Sequence, residues 1–153
     1  MILPFIVGLG SHHGDDQAGW LVVDQLQARG YPVTRLARLQ HPADLLDVIE
    51  TEPTLVICDA CLGGDSLGTI RSLCWPTDKL AYQRPSGSHD LSLADVMELG
   101  QRLGSLPERV LIWTVQAGSW SAGSEPSLEV QSAAARVADA IWKDFSACMN
   151  DHW

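Results

Sequence analysis

The stretch Ile2–Val23 constrains the fold more than any other part of the chain. The apolar run Ile2–Val7 reads as a strand buried on both faces, with Pro4 making an imperfect start. Gly8, Gly10 and Gly14 follow, then the paired acids Asp15 and Asp16, then apolar residues at helical spacing (Ala18, Leu21, Val22, Leu26) ended by Gly30. A strand that turns through glycines into a helix is the opening half of a βαβ unit. Open α/β sheets place their chemistry in the loop between the two.

The remaining segments repeat the alternation. Val33–Leu39 reads as a second strand, and Pro42 opens a short helix carrying Leu45, Leu46, Val48 and Ile49. Leu55–Cys58 is a strongly apolar strand with Asp59 as the first polar residue at its end, and Thr69–Trp75 alternates as an edge strand. A polar loop, Pro76–Ser88, delivers His89 to a helix over Ser92–Arg102, where Ser92 and Asp95 have capping-box spacing. Val110–Val115 is the last strand. Ser127 caps a long final helix with the stripe Val130, Ala133, Ala134, Val137, Ile141 and Phe145. This order predicts a three-layer αβα sandwich, a mostly parallel twisted sheet of about five strands with helices on both faces, over a single domain 1–153.

Charge and cysteine usage exclude several classes. A net charge of −9, with no basic run, gives no surface for nucleic acid or anionic membrane. The N-terminal apolar stretch is too short to span a bilayer and lacks a charged leader, so a cytoplasmic location is the expectation. Cys58-Asp-Ala-Cys61 is a formal C-x-x-C, but it ends a strand instead of opening a helix and has no second pair for a zinc ribbon. Buried or incidental thiols are expected.

Loops after parallel strands open on one side, so His12, His13, Asp15, Asp16, His41, Asp59, His89 and Gln116 are expected along one rim. Carboxylates and imidazoles together suit a borderline divalent metal such as nickel or zinc. Taken singly, Asp15 and Asp16 read as acids favoured at a helix start, and the histidines as solvated loop residues. Asp59 is different: an acid directly after an apolar strand must be compensated. A dinucleotide site fits poorly. Three residues rather than two precede Gly14 in Gly8-Leu-Gly10-Ser-His-His-Gly14, two acids stand where pyrophosphate would bind, and Arg38-Leu-Gln-His41 offers no acid for a ribose. No G-x-S-x-G elbow is present.

Gly8-x-Gly10, Asp15-Asp16-x-x-Gly19, Asp59-Ala60 after an apolar strand, and Ser88-His89 ahead of Leu93-Ala94-Asp95-Val96 together resemble the hydrogenase maturation endopeptidases over nearly the whole chain. The resemblance implies a metal-dependent, aspartic-type endopeptidase that activates a nickel–iron hydrogenase. It would remove the C-terminal extension of the large-subunit precursor after nickel insertion. It also implies that Asp16, Asp59 and His89 are both the catalytic and the metal-contacting residues. The nickel is carried by the precursor, with no nucleotide cofactor, and the protease is a monomer. The family usually has Glu where this chain has Asp16, a Gly-rich turn at Gln40-His41-Pro42-Ala43, a Pro-Glu step at Ala117-Gly118, and apolar residues at His12-His13. The alternative from another class is a non-catalytic module that binds metal or precursor at the same rim, motivated by the extra histidines.

Overall fold

Five strands line up in the order β2-β1-β3-β5-β4 in the computed structural model, which describes residues 3–49, 51–77, 80, 91–118 and 120–150 (148–150 as backbone only). They are β1 (Phe5–Leu9), β2 (Leu36–Leu39), β3 (Thr54–Cys61), β4 (Ile70–Cys74) and β5 (Arg109–Gln116). β1, β2, β3 and β5 run parallel, and β4 pairs antiparallel with β5 at the edge. The helices are α1 (Ala18–Ala28), α2 (Leu45–Val48), α3 (Leu93–Leu103) and α4 (Leu128–Asn150). The expected α/β architecture is what the chain adopts.

Side-chain alternation along β3 divides the core. Val56, Cys58 and Ala60 pack with α1 and α4 through Val22, Leu26, Val130, Val137 and Ile141. Leu55 and Ile57 pack on the opposite face against Leu45 of α2, Ile49 just after it, and Val96 and Met97 of α3. The sheet is therefore apolar on both sides, as its continuous hydrophobic strands require.

Several local expectations are met in detail. The Ser92 hydroxyl accepts from the Asp95 amide and the Asp95 carboxylate accepts from the Ser92 amide, closing a capping box at α3. Gly104 ends that helix at φ 66°. The Ser127 hydroxyl accepts from Val130 N at 3.4 Å at the start of α4.

Three expectations shift. Val33–Arg35 winds into a 3-10 turn, so the second strand starts only at Leu36. Arg35 is drawn out of line by a bidentate pair with Glu52 and a bond to the Leu3 carbonyl. Asp15 and Asp16 lie in a separate 3-10 turn, Gly14–Gln17, ahead of α1. β3 continues past Cys58 to Cys61 because β5 pairs with it through Asp59↔Thr114 and Cys61↔Gln116. Asp59 thus sits inside the strand, and Cys58 and Cys61 face opposite sides of the sheet. Both thiols are buried, and burial pushes each above its usual range, so neither is a ready thiolate.

Among the described residues no helix is long and apolar enough to cross a membrane.

Candidate active site

The chain leaves β1 toward β2 and later returns to place β3 on the other side of β1, so the strand order reverses between β1 and β3. This is the point where doubly wound sheets open a crevice beyond the strands' carboxyl ends. Two glycines close the structure beneath it. A Cβ on Gly8 would lie 2.3 Å from the Gly19 carbonyl oxygen, and a Cβ on Gly19 would lie 2.3 Å from the carbonyl oxygens of both Leu9 and Cys58. Only two facing glycines let α1 settle this deeply over β1 and β3. Asp16 lies just before Gly19 and Asp59 just after Cys58, and the 3-10 turn bearing Asp16 contacts β3. Asp16 follows β1 and Asp59 lies in the adjacent β3, both buried, Asp16 with 1% of its surface exposed and Asp59 with 5%.

Each acid of the first loop has its own task. The Asp15 carboxylate accepts from the Gly118 amide at 2.8 Å and the Ser127 amide at 2.7 Å, so it fastens the first loop to the one after β5 and to the start of α4. The Ser124 carbonyl takes two more donors from the first loop, Gly14 N and Gln17 Nε2, both at 3.2 Å. On the other flank the Leu39 carbonyl accepts from Gly10 N at 3.0 Å and Trp20 Nε1 at 3.1 Å. The loop is fixed from both sides. Asp16 is held by the Ser11 hydroxyl, which donates to its Oδ2 at 2.5 Å. The helix-start role expected for Asp15 is thus replaced by a long-range cap on α4. Asp15→Ala is expected to lower unfolding stability by about 2–4 kcal/mol, since two amides lose a charged acceptor in a buried setting. Urea denaturation measures this, and a change below about 0.5 kcal/mol, the usual size for an unimportant surface site, contradicts it.

Asp59 shares its face of the sheet with Cys61, Thr114 and Gln116, a polar row above the apolar rows of Leu55, Ile57 and Ile112. Thr114 hydrogen-bonds Cys61, and the Cys61 thiol lies 3.9 Å from Gln116 Oε1. Gln116 Nε2 donates to the Ala117 carbonyl at 3.1 Å. Gln116 is therefore buried and engaged locally instead of lining the rim.

Of the residues expected on the rim, Asp16 follows β1 and Asp59 lies near the carboxyl end of the adjacent β3, and His89 lies outside the described residues. His12, His13 and His41 are exposed, with the His12 ring edge-on to Trp20 at 5.0 Å. Among the described residues no three His, Cys, Asp or Glu side chains form a group able to hold a metal ion. Ser11, the Asp15 tether and Thr114 escaped the sequence reading. Ser11 had the only usable signal, a hydroxyl directly after the glycine turn.

The fold is that of a doubly wound α/β protein with two buried carboxylates near its switch point. Residues 40–144 match the family model HycI, hydrogenase maturation protease. The chain belongs to that family. Its fold is similar to the hydrogenase maturating endopeptidase HybD from E. coli, at 18% identity and TM-score 0.72, covering 99% of this chain and 94% of that one. It is also similar to the [NiFe] hydrogenase maturation protease HycI from Thermococcus kodakarensis KOD1, at 23% identity and TM-score 0.62, covering 89% and 87%. The endopeptidase HycI from Escherichia coli matches at 17% identity and TM-score 0.70, covering 92% and 89%. Comparison with curated protein sequences gives no significant match.

Proposed function

We propose that the chain is the endopeptidase that removes the C-terminal extension from a nickel–iron hydrogenase large-subunit precursor once nickel has been inserted. In this reading Asp16, Asp59 and His89 engage the nickel that the precursor brings. Family membership supports the protease class. The observation that carries the site assignment is the pair of buried carboxylates at the β1–β3 switch point.

Two carboxylates and an imidazole are hard and borderline donors suited to nickel, with coordination positions left for the precursor's own ligands. A substrate-borne ion gripped this way does two things. It registers the scissile peptide against the crevice, and it supplies positive charge beside a carbonyl oxygen that becomes negative during hydrolysis. The protein's contribution is to hold the acids still. Asp59 is carried by a strand paired on both sides, and Asp16 by a loop pinned at both flanks. A protease built this way gains selectivity for finished precursor, because an apo precursor offers the acids nothing to bind.

Mixing the protein with nickel-loaded precursor and following precursor mass tests the reading, with loss of one C-terminal peptide as the expected result. The exposed His12, His13 and His41 favour a second reading, a module that binds metal or precursor without cutting it. Calorimetric nickel titration of the isolated protein separates the two. Tight binding with an uncut precursor supports the module, and weak binding with a cut precursor supports the protease.

A further inference from the structure

We infer that Ser11 is a positioning residue for Asp16, clasping the acid at two points so that one carboxylate oxygen is fixed and the aim of the group into the crevice is set. The inference rests on the reading of Asp16 as a nickel-engaging acid. Ser11 is 4% exposed and Asp16 1% exposed. The Ser11 hydroxyl donates to Asp16 Oδ2 at 2.5 Å, and the Ser11 amide donates to the Asp16 carbonyl at 3.4 Å. The first distance lies in the range of a charge-assisted O–H···O⁻ bond. A serine hydroxyl has a single proton to give, so donation to the carboxylate commits it.

The surroundings explain why a clasp is possible here. A Cβ on Gly10 would lie 2.8 Å from the Asp16 carbonyl oxygen, so only glycine lets the chain pass close enough for the next residue to reach back. Gly10 is itself held by Leu39, which gives Ser11 a firm base. The 3-10 turn holding Asp16 does not depend on this hydroxyl. It is closed by the Asp16 amide donating to the His13 carbonyl at 3.0 Å, and it is anchored to the rest of the fold through Asp15 and Gly14. Stability and aim are thus divided between neighbouring residues: Asp15 secures the turn and Ser11 orients the acid. The division matters because an aspartate turns about only two side-chain torsions. Fixing one oxygen removes most of that freedom, as partners of metal-binding groups generally do.

The test uses the full chain acting on nickel-loaded precursor, with Ser11→Ala, Ser11→Thr and Asp16→Asn, each checked for cooperative unfolding. Ser11→Ala is expected to lower kcat/KM by about 10–100-fold, the usual effect of removing a group that orients a metal ligand. Ser11→Thr keeps the hydroxyl and is expected to restore most of the rate. Adding Ser11→Ala to Asp16→Asn is expected to change the residual rate by less than about twofold, because the hydroxyl acts only through the carboxylate. If Ser11→Ala runs at the parental kcat/KM while Asp16→Asn is crippled, the inference fails and the assignment of Asp16 stands. The inference also fails if Ser11→Ala costs as much in the Asp16→Asn background as in the parent. If Asp16→Asn itself runs at the parental rate, the site assignment fails and the inference goes with it.

Discussion

Asp59→Ala is expected to slow tail removal by about a hundredfold to a thousandfold while the protein stays folded. The magnitude follows from the role. An ion polarising a carbonyl contributes several kcal/mol to the transition state, and each 1.4 kcal/mol or so is about tenfold in rate. Losing one of its holders forfeits a large part of that. Asp59 is a good position for the experiment because its backbone lies in the β3–β5 ladder opposite Thr114, so substitution leaves the strand register intact. Steady-state cleavage of nickel-loaded precursor checks the rate, and urea denaturation checks the fold. A variant that cleaves within about threefold of the parent, half a tenfold step in log rate, places the chemistry elsewhere.

Gly19→Ala is expected to destabilise the fold by about 3 kcal/mol or more, against the ordinary sign of that change. Inside an exposed helix, Gly→Ala stabilises by about 1 kcal/mol. At Gly19 the added carbon would lie 2.3 Å from two carbonyl oxygens and 2.9 Å from Leu9 N, all of them backbone. Nothing there can rotate aside, so α1 must lift from the sheet and take Asp16 with it. With a midpoint shift of about 2–4 °C per kcal/mol at this chain length, melting should fall by roughly 10 °C. Gly100→Ala in α3 is the matched control. Its Cβ meets the Leu106 side chain, Cδ2 at 2.7 Å, which can swing away, so its effect should be much smaller. Thermal denaturation of both variants decides the matter. A Gly19→Ala protein as stable as the parent would mean that the helix does not sit at this depth.

Gly19 also shows which parts of the fold were legible beforehand. Hydrophobic period located β4, β5 and three helices closely and found β1, β2 and β3 with shifted ends, because apolar faces mark where an element lies better than where it stops. The Ser92–Asp95 capping box was legible for a different reason: its partners are three residues apart. What the sequence concealed depends on pairing across distance. That β3 extends through Asp59 to Cys61 is decided by β5, whose residues 114–116 supply the ladder. Asp15 looked like a helix-start acid because its real partners, Gly118 and Ser127, are more than a hundred positions away. Likewise Gln116 stood at the correct sheet end, yet its orientation into the interior was set by Cys61 and Ala117. Asp16 and Asp59 could be paired as candidates from topology alone, since loops after parallel strands share an edge. The depth at which α1 sits over β1 and β3, by contrast, needed the Gly8–Gly19 contact.

The most direct measurement of the central claim is a pair of time courses on the same precursor, one preparation loaded with nickel and one free of it, read by intact mass. The account predicts that the nickel-loaded precursor loses its C-terminal peptide and that the nickel-free precursor stays whole. Equal cleavage of both preparations, or an intact tail in both, would contradict it.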